Sequence, residues 1–162
     1  YNGLPTRDVF KLKEKPIFSE TTCAIHFRGT DFHQWNPNAV LGFDYYYDSI
    51  QEVKDAVDTF ILFTDDQGLS SITATSEYLS SQDINFTVAS AENYINDFSF
   101  MSECDYIISS PSTFCICAGF IGKKKKIIHS KNWVEDRANR NDKFWVDLLN
   151  GGTDDYSIWR LL

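Results

Sequence analysis

Residues 26–31 read His-Phe-Arg-Gly-Thr-Asp and follow the short apolar run Cys23–Phe27. In an extended segment side chains alternate, so His26 and Arg28 point to the same side. An imidazole and a guanidinium then face a common point where the strand ends. The planar fork of Arg28 can donate two parallel hydrogen bonds, which suits the anionic oxygens of a diphosphate. Gly29 lets the backbone turn and approach a ligand. The competing reading is an Arg28–Asp31 salt bridge that closes a loop.

Two further segments carry candidate chemistry. Asp65 and Asp66 follow the run Phe60–Thr64. Such a pair can bind ribose hydroxyls, a base edge or a metal, or cap the next helix. A metal site gathers more oxygen ligands than one pair supplies. Ser109-Ser110-Pro111-Ser112-Thr113 leads into a helical stretch. Free N–H groups and hydroxyls at a helix start form an anion site, and an ordinary N-cap has the same composition. No Walker loop and no G-x-G-x-x-G is present, so neither a P-loop ATPase nor a nicotinamide fingerprint is supported. Cys23, Cys104, Cys115 and Cys117 lack the two-residue spacing of zinc or thioredoxin motifs and read as buried thiols. His33 and His129 lack partners at metal-ligand spacing, so no metal is expected. Lys123–Lys126 reads as a solvated flank before a strand. Asn85-Phe86-Thr87 is a formal glycosylation sequon that falls in an expected buried strand, and reads as chance.

The elements that must position these residues alternate. Strands are expected at Cys23–Phe27, Phe60–Phe63, Ile84–Val88, Tyr106–Ile108 and Lys126–Ile128. Apolar residues at helical spacing predict helices through Tyr46, Ile50, Val53 and Val57, and through Leu69, Ile72 and Leu79. Further helices are expected over Tyr94–Cys104 and Ser112–Ile121, with a loop over Asp31–Asp44. The pattern predicts an α/β, Rossmann-like parallel sheet with helices on both faces. Ligands bind such sheets beyond the carboxyl ends of the strands. That rule singles out the segments after Phe27 and Thr64, Asn93–Asp97, and Ser109–Thr113. Residues 1–20 read as an entry segment or linker and 21–162 as one domain. Residues 131–162, with Trp133, Trp145 and Trp159, are expected to pack back across it.

The 162 residues carry 15 Lys and Arg against 23 Asp and Glu, a net charge of −8. That balance opposes nucleic acid or an anionic membrane as the main partner. No apolar run is long enough to span a bilayer, and no signal peptide is visible. The sequence starts at Tyr1, and one part of a longer protein is expected.

In register, these segments resemble a known set. Cys23-Ala-Ile-His-Phe-Arg-Gly-Thr-Asp-Phe32 is similar to the H-x-R-x-x-D/F first motif of fucosyltransferases that use GDP-fucose. Tyr45-Tyr46 and then Phe60-Ile-Leu-Phe-Thr-Asp-Asp66 resemble the stretch that follows in the α-1,2-fucosyltransferase family. Asp97–Asp105 and Ile107–Phe114 resemble its D-L-x-L-M-S-x-C and I-I-x-N-S-x-F signatures. Lys126–Trp133 looks like its closing strand and K-x-W segment. The likeness covers about residues 20–135. The α-1,6- and protein O-fucosyltransferases share the set more loosely.

The resemblance implies the donor-binding, C-terminal domain of a GT-B glycosyltransferase. That enzyme would transfer L-fucose from GDP-fucose to a glycan hydroxyl, with inversion and without a metal or other cofactor. A preceding acceptor-side domain is expected as a partner. Arg28 matches the arginine that neutralises the β-phosphate, and His26 a nucleotide-contacting histidine. Asp97 matches the acidic residue beside guanine, and Ser112 and Thr113 the hydroxyl pair at the phosphates. Asp65 and Asp66 fall where a carboxylate pair lies near the donor pocket. Asp31, or else His33, is the candidate to deprotonate the acceptor. The sequence departs from the family at Gly29, often a second arginine there, and at Cys115-Ile116-Cys117 in place of S-W-W. The alternatives are another GDP-sugar, another linkage, or a non-catalytic nucleotide- or glycan-binding module. A eukaryotic-type enzyme would act in the Golgi lumen, and a bacterial or viral one in the cytoplasm.

Overall fold

Strand β1, Thr22–Phe27, is buried along its whole length. A strand covered on both faces reads as a continuous apolar run, and this one sits at the centre of a parallel sheet. The computed structural model describes residues 16–89, 93–122, 124–140, 142–150 and 158–162. Most of the expected entry segment, residues 1–15, lies outside them, as does Lys123.

Strand β1 pairs in parallel with β2, Thr59–Thr64, placing Cys23 opposite Phe60 and Phe27 opposite Thr64. On its other side it pairs with β4, Tyr106–Ile108. With β3 (Phe86–Val88), β5 (Lys126–His129) and β6 (Trp159–Leu161), the order is β3-β2-β1-β4-β5-β6, all parallel. The chain reverses its direction of growth between β1 and β4. Their diverging loops leave the crevice that such folds use for ligands.

Alternation sorts the core. Cys23, Ile25, Phe27, Phe60 and Leu62 pack with Tyr46, Ile50, Ile72 and Leu79 of helices α2 (Phe43–Gln51) and α3 (Ser70–Ser81). Ala24, Ile61, Phe63, Ile107 and Ile127 pack on the opposite face. They meet Met101 of α4 (Tyr94–Glu103) and Cys115 and Ala118 of α5 (Thr113–Ile121). Helices α6 (Lys131–Ala138) and α7 (Lys143–Leu149) close a third cluster around Ile116, Trp133 and Trp145. His26 has the parity of Ala24, so it belongs to the α4/α5 side.

Several expectations change. The loop over 31–44 contains a four-residue helix, α1 (Phe32–Trp35), and a single 3-10 turn, Pro37–Ala39, capped by the Asn36 side chain. The helix expected through Val57 ends at Gln51, and a 3-10 turn over Lys54–Ala56 follows. Strand β3 is a short edge strand, with Asn85 and Thr87 exposed, so the sequon is not in a buried strand. Strand β6 was not expected. Lys124 is buried rather than solvated: its Nζ donates to the carbonyls of Ser102 at 2.6 Å and Cys104 at 2.5 Å. These satisfy carbonyls at the end of α4, the role a cation serves at a helix C-terminus. Desolvation pushes the Lys124 amine down to about 8. Among the described residues no helix is long and apolar enough to cross a membrane.

Candidate functional site

His26 stands one residue before the carboxyl end of β1, and it is almost wholly buried. Its Nδ1 lies 2.7 Å from Ser110 Oγ, which ties the end of β1 to the loop after β4. The Phe114 ring stands 6.1 Å away. Burial lowers the His26 pKa to about 4, with Arg28 adding to the effect and Asp65 opposing it. The imidazole is therefore neutral at neutral pH, a hydrogen-bonding group rather than a charge.

Arg28 is held between two carboxylates. Nη2 donates to Asp31 Oδ1 at 2.7 Å, and Nη1 meets Asp65 Oδ2 at 2.7 Å. Its guanidinium carbon lies 5.1 Å from the centre of the Phe32 ring. The buried Nε has no hydrogen-bond partner. Asp65 also organises the backbone: Oδ1 accepts from Gly29 N–H at 2.9 Å and Oδ2 from the Thr30 hydroxyl at 2.7 Å. One carboxylate at the end of β2 thus shapes the whole β1 loop. The salt bridge weighed as the competing reading exists, and Asp65 doubles it.

Gly29 serves packing. A Cβ there would come within 2.8–2.9 Å of the buried Leu69 side chain. That contact is the local reason why a second arginine does not fit this loop. Asp66 stands apart from its neighbour. Its Oδ1 accepts from Gly68 N–H at 2.9 Å, and its backbone exchanges hydrogen bonds with the Thr64 hydroxyl. The Asp66 side chain closes the turn into α3, and Asp66 is not among the residues that line the cavity described next.

A cavity of about 1300 Å³ opens at the carboxyl ends of β1, β2 and β4. His26, Arg28, Asp31, Asp65, Asp97, Ser112 and Thr113 all line it. Ser112 is the N-cap residue of α5 and is buried, with no side-chain cap bond. The Ser112 side chain thus leaves the first N–H groups of α5 uncapped at the cavity's edge, and a helix start favours negative charge. Asp97 lies in the first turn of α4, which Asn93 caps through bonds to Ile95 N and Asn96 N. Partial burial raises the Asp97 pKa. Tyr94, one turn before it and 72% exposed, stands at the same wall.

Sequence reasoning missed the opposite wall. Trp35, Trp133, Arg137, Asp142, Phe144 and Trp145 line the cavity from α1, α6 and α7. The Trp133 of the K-x-W segment was a visible signal. Arg137 and Asp142 were not, because their pairing across the end of α6 is a product of folding. His33 does not line the cavity. His129 is fully buried, with Nδ1 2.5 Å from Ser109 Oγ and its ring stacked 5.5 Å from Trp145. Among the described residues no group of three or more His, Cys, Asp or Glu converges as a metal site would need.

No family model, no curated protein and no solved structure matches this chain. Fold and geometry define a Rossmann-like α/β domain with a large cavity at its topological switch point.

Proposed function

We propose that this domain binds GDP-fucose and is the donor half of a GT-B fucosyltransferase of the α-1,2 kind. One observation carries the reading. A single cavity holds a carboxylate suited to guanine, Asp97, together with the arginine and helix start suited to a diphosphate, Arg28 and α5. A carboxylate can accept from both N1–H and the exocyclic amine of guanine, a pattern that uracil and adenine do not offer.

The chemistry is metal-independent and inverting. An acceptor hydroxyl attacks the sugar carbon as its bond to the diphosphate oxygen breaks. Negative charge grows on the leaving GDP. Arg28 and the N–H groups opening α5 stabilise that charge where it develops. Neutral His26, fixed by Ser110, can hydrogen-bond the nucleotide without repelling Arg28. Asp31 is this chain's candidate to take the acceptor proton.

The second reading is a non-catalytic nucleotide- or glycan-binding module. It is favoured by the pairing of Arg28 with two carboxylates, which offsets the charge a diphosphate needs. Calorimetry with GDP, GDP-fucose, GDP-mannose, UDP and ADP tests the donor reading. GDP and GDP-fucose should bind, and UDP and ADP should not. At 100 times its dissociation constant, GDP stabilises the fold by about 2.7 kcal/mol. Equal binding of all five sinks the guanine assignment. An assay of fucose transfer separates enzyme from module.

A further inference from the structure

We propose that the cavity contains a second subsite, built on Trp35, Trp133, Arg137 and Asp142, that binds the ring of an uncharged carbohydrate. Its role as an acceptor site rests on the donor reading above, but its chemistry rests on its own residues.

Space is the first argument. A pocket that buries one drug-sized ligand occupies about 300–1,000 Å³. This cavity of about 1300 Å³ leaves room beyond the nucleotide end.

Continuity is the second. The Arg28 guanidinium lies over Phe32, whose ring is 5.1 Å from that of Trp35. Trp35 meets Trp133 edge-on at 5.9 Å. The Arg137 guanidinium lies 5.8 Å from the centre of the Trp133 ring. An unbroken aromatic path thus joins the diphosphate end to a second ion pair.

Chemistry is the third. Trp35 is 57% exposed beside a cavity, so a large apolar ring is left facing water. The C–H face of a pyranose covers such a ring, and the amphipathic indole suits a ligand that is apolar on one side and wet on the other. Beyond it, Arg137 Nη2 and Asp142 Oδ2 stand 3.5 Å apart, both side chains partly exposed. Together they offer donors and acceptors with no net charge. An anionic ligand would need surplus positive charge, and Asp142 opposes it. A wholly apolar ligand would cover the ion pair and leave it without water, at a desolvation cost. A ring with an apolar face and hydroxyls at its edge satisfies both halves.

The test uses the ¹⁵N-labelled chain and reads the indole N–H signals of its 4 tryptophans. Lactose, maltose and cellobiose are titrated with and without GDP, beside glucuronate and cyclohexanemethanol as anionic and apolar controls. At least one disaccharide should shift the Trp35 and Trp133 signals saturably while leaving Trp159 in place. Trp35→Ala should weaken that binding at least tenfold, and Trp35→Phe should keep most of it. Asp142→Asn should weaken it severalfold. GDP affinity, read by calorimetry, should change less than threefold in Trp35→Ala. The proposal falls if no disaccharide shifts either signal. It falls equally if the shifts survive Trp35→Ala, or if a control competes better than the disaccharides. Disaccharide binding without GDP binding would keep this subsite and overturn the donor reading. The reverse result would do the opposite.

Discussion

Asp65→Ala is the most informative single change in the β1 loop. The substitution removes the acceptor for Gly29 N–H at 2.9 Å, for the Thr30 hydroxyl at 2.7 Å and for Arg28 Nη1 at 2.7 Å. The Arg28 and Asp65 side chains are only 29% and 23% exposed, so solvent screens their pair incompletely. A hydrogen bond to a charged group contributes roughly 1.5–3 kcal/mol, and an ordinary one roughly 0.5–1.5. The three share one carboxylate and are not additive, so the expected loss is about 3 kcal/mol. Asp31 bonds the same guanidinium at the same 2.7 Å, yet its side chain is 65% exposed. An exposed pair contributes below about 1 kcal/mol. For a chain of this size 1 kcal/mol moves Tm by about 2–4 °C. Asp65→Ala should therefore lower Tm by roughly 6–12 °C, and Asp31→Ala by at most about 4 °C. Thermal scanning of the two purified variants at neutral pH decides it. Equal shifts would refute the ranking by burial and show that Asp65 does not hold the loop.

The other expectations concern charge and space at the same site. Under the donor reading, Arg28→Ala should lower fucose transfer by about 10²–10³, and Arg28→Lys should rescue little, because a point charge cannot reproduce the fork. Normal turnover in Arg28→Ala would remove it from the chemistry. Gly29→Arg should destabilise, since Leu69 already fills the space a Cβ would take. An unchanged melting curve would contradict that. His26 and His129 both titrate near 4 in the fold, against 6.5 when exposed, because burial disfavours their charged forms. Between those values the unfolded chain binds more protons, so stability rises with pH. It should be complete above 6.5 and lost as pH falls toward 4. A Tm that stays flat from pH 7 to 4.5 would argue against two buried neutral imidazoles.

What could be seen in the sequence follows from what each signal encodes. Strands β1, β2, β4 and β5 are apolar runs bounded by polar clusters, and the structure places them within a residue or so of expectation. Buried parallel strands carry no other pattern, so run length and boundaries suffice. Strand β6 has three residues and pairs only with β5 among the described residues, too short for any period to register. Lys124 defeats composition: a run of four lysines reads as solvated, and only folding shows that one of them caps α4. Arg137 and Asp142 likewise join the cavity through tertiary packing, five residues apart across a helix end.

Arg28 shows why residue types alone left two readings standing. A salt bridge to Asp31 and a place at a ligand site were weighed as alternatives, yet Arg28 bonds Asp31 and also lines the cavity that Ser112 and Thr113 line. The reason lies in the division of the fork. Asp65 takes Nη1 on the better-covered side, and Asp31 takes Nη2 at the exposed rim. A diphosphate oxygen displaces more readily the partner that water reaches more freely, which is Asp31 at 65% exposed against 23% for Asp65. Under the donor reading, Asp65 then fixes the plane of the guanidinium, and Asp31 holds the second nitrogen until a ligand arrives. Asp31→Asn removes a competing charge from that exchange. It should tighten GDP binding up to about fivefold, the equivalent of roughly 1 kcal/mol for an exposed pair. Fucose transfer should fall in the same variant if Asp31 also takes the acceptor proton. Calorimetry and fucose transfer measured side by side give the two numbers. Weaker GDP binding in Asp31→Asn would mean that Asp31 positions Arg28 for the ligand rather than competing with it.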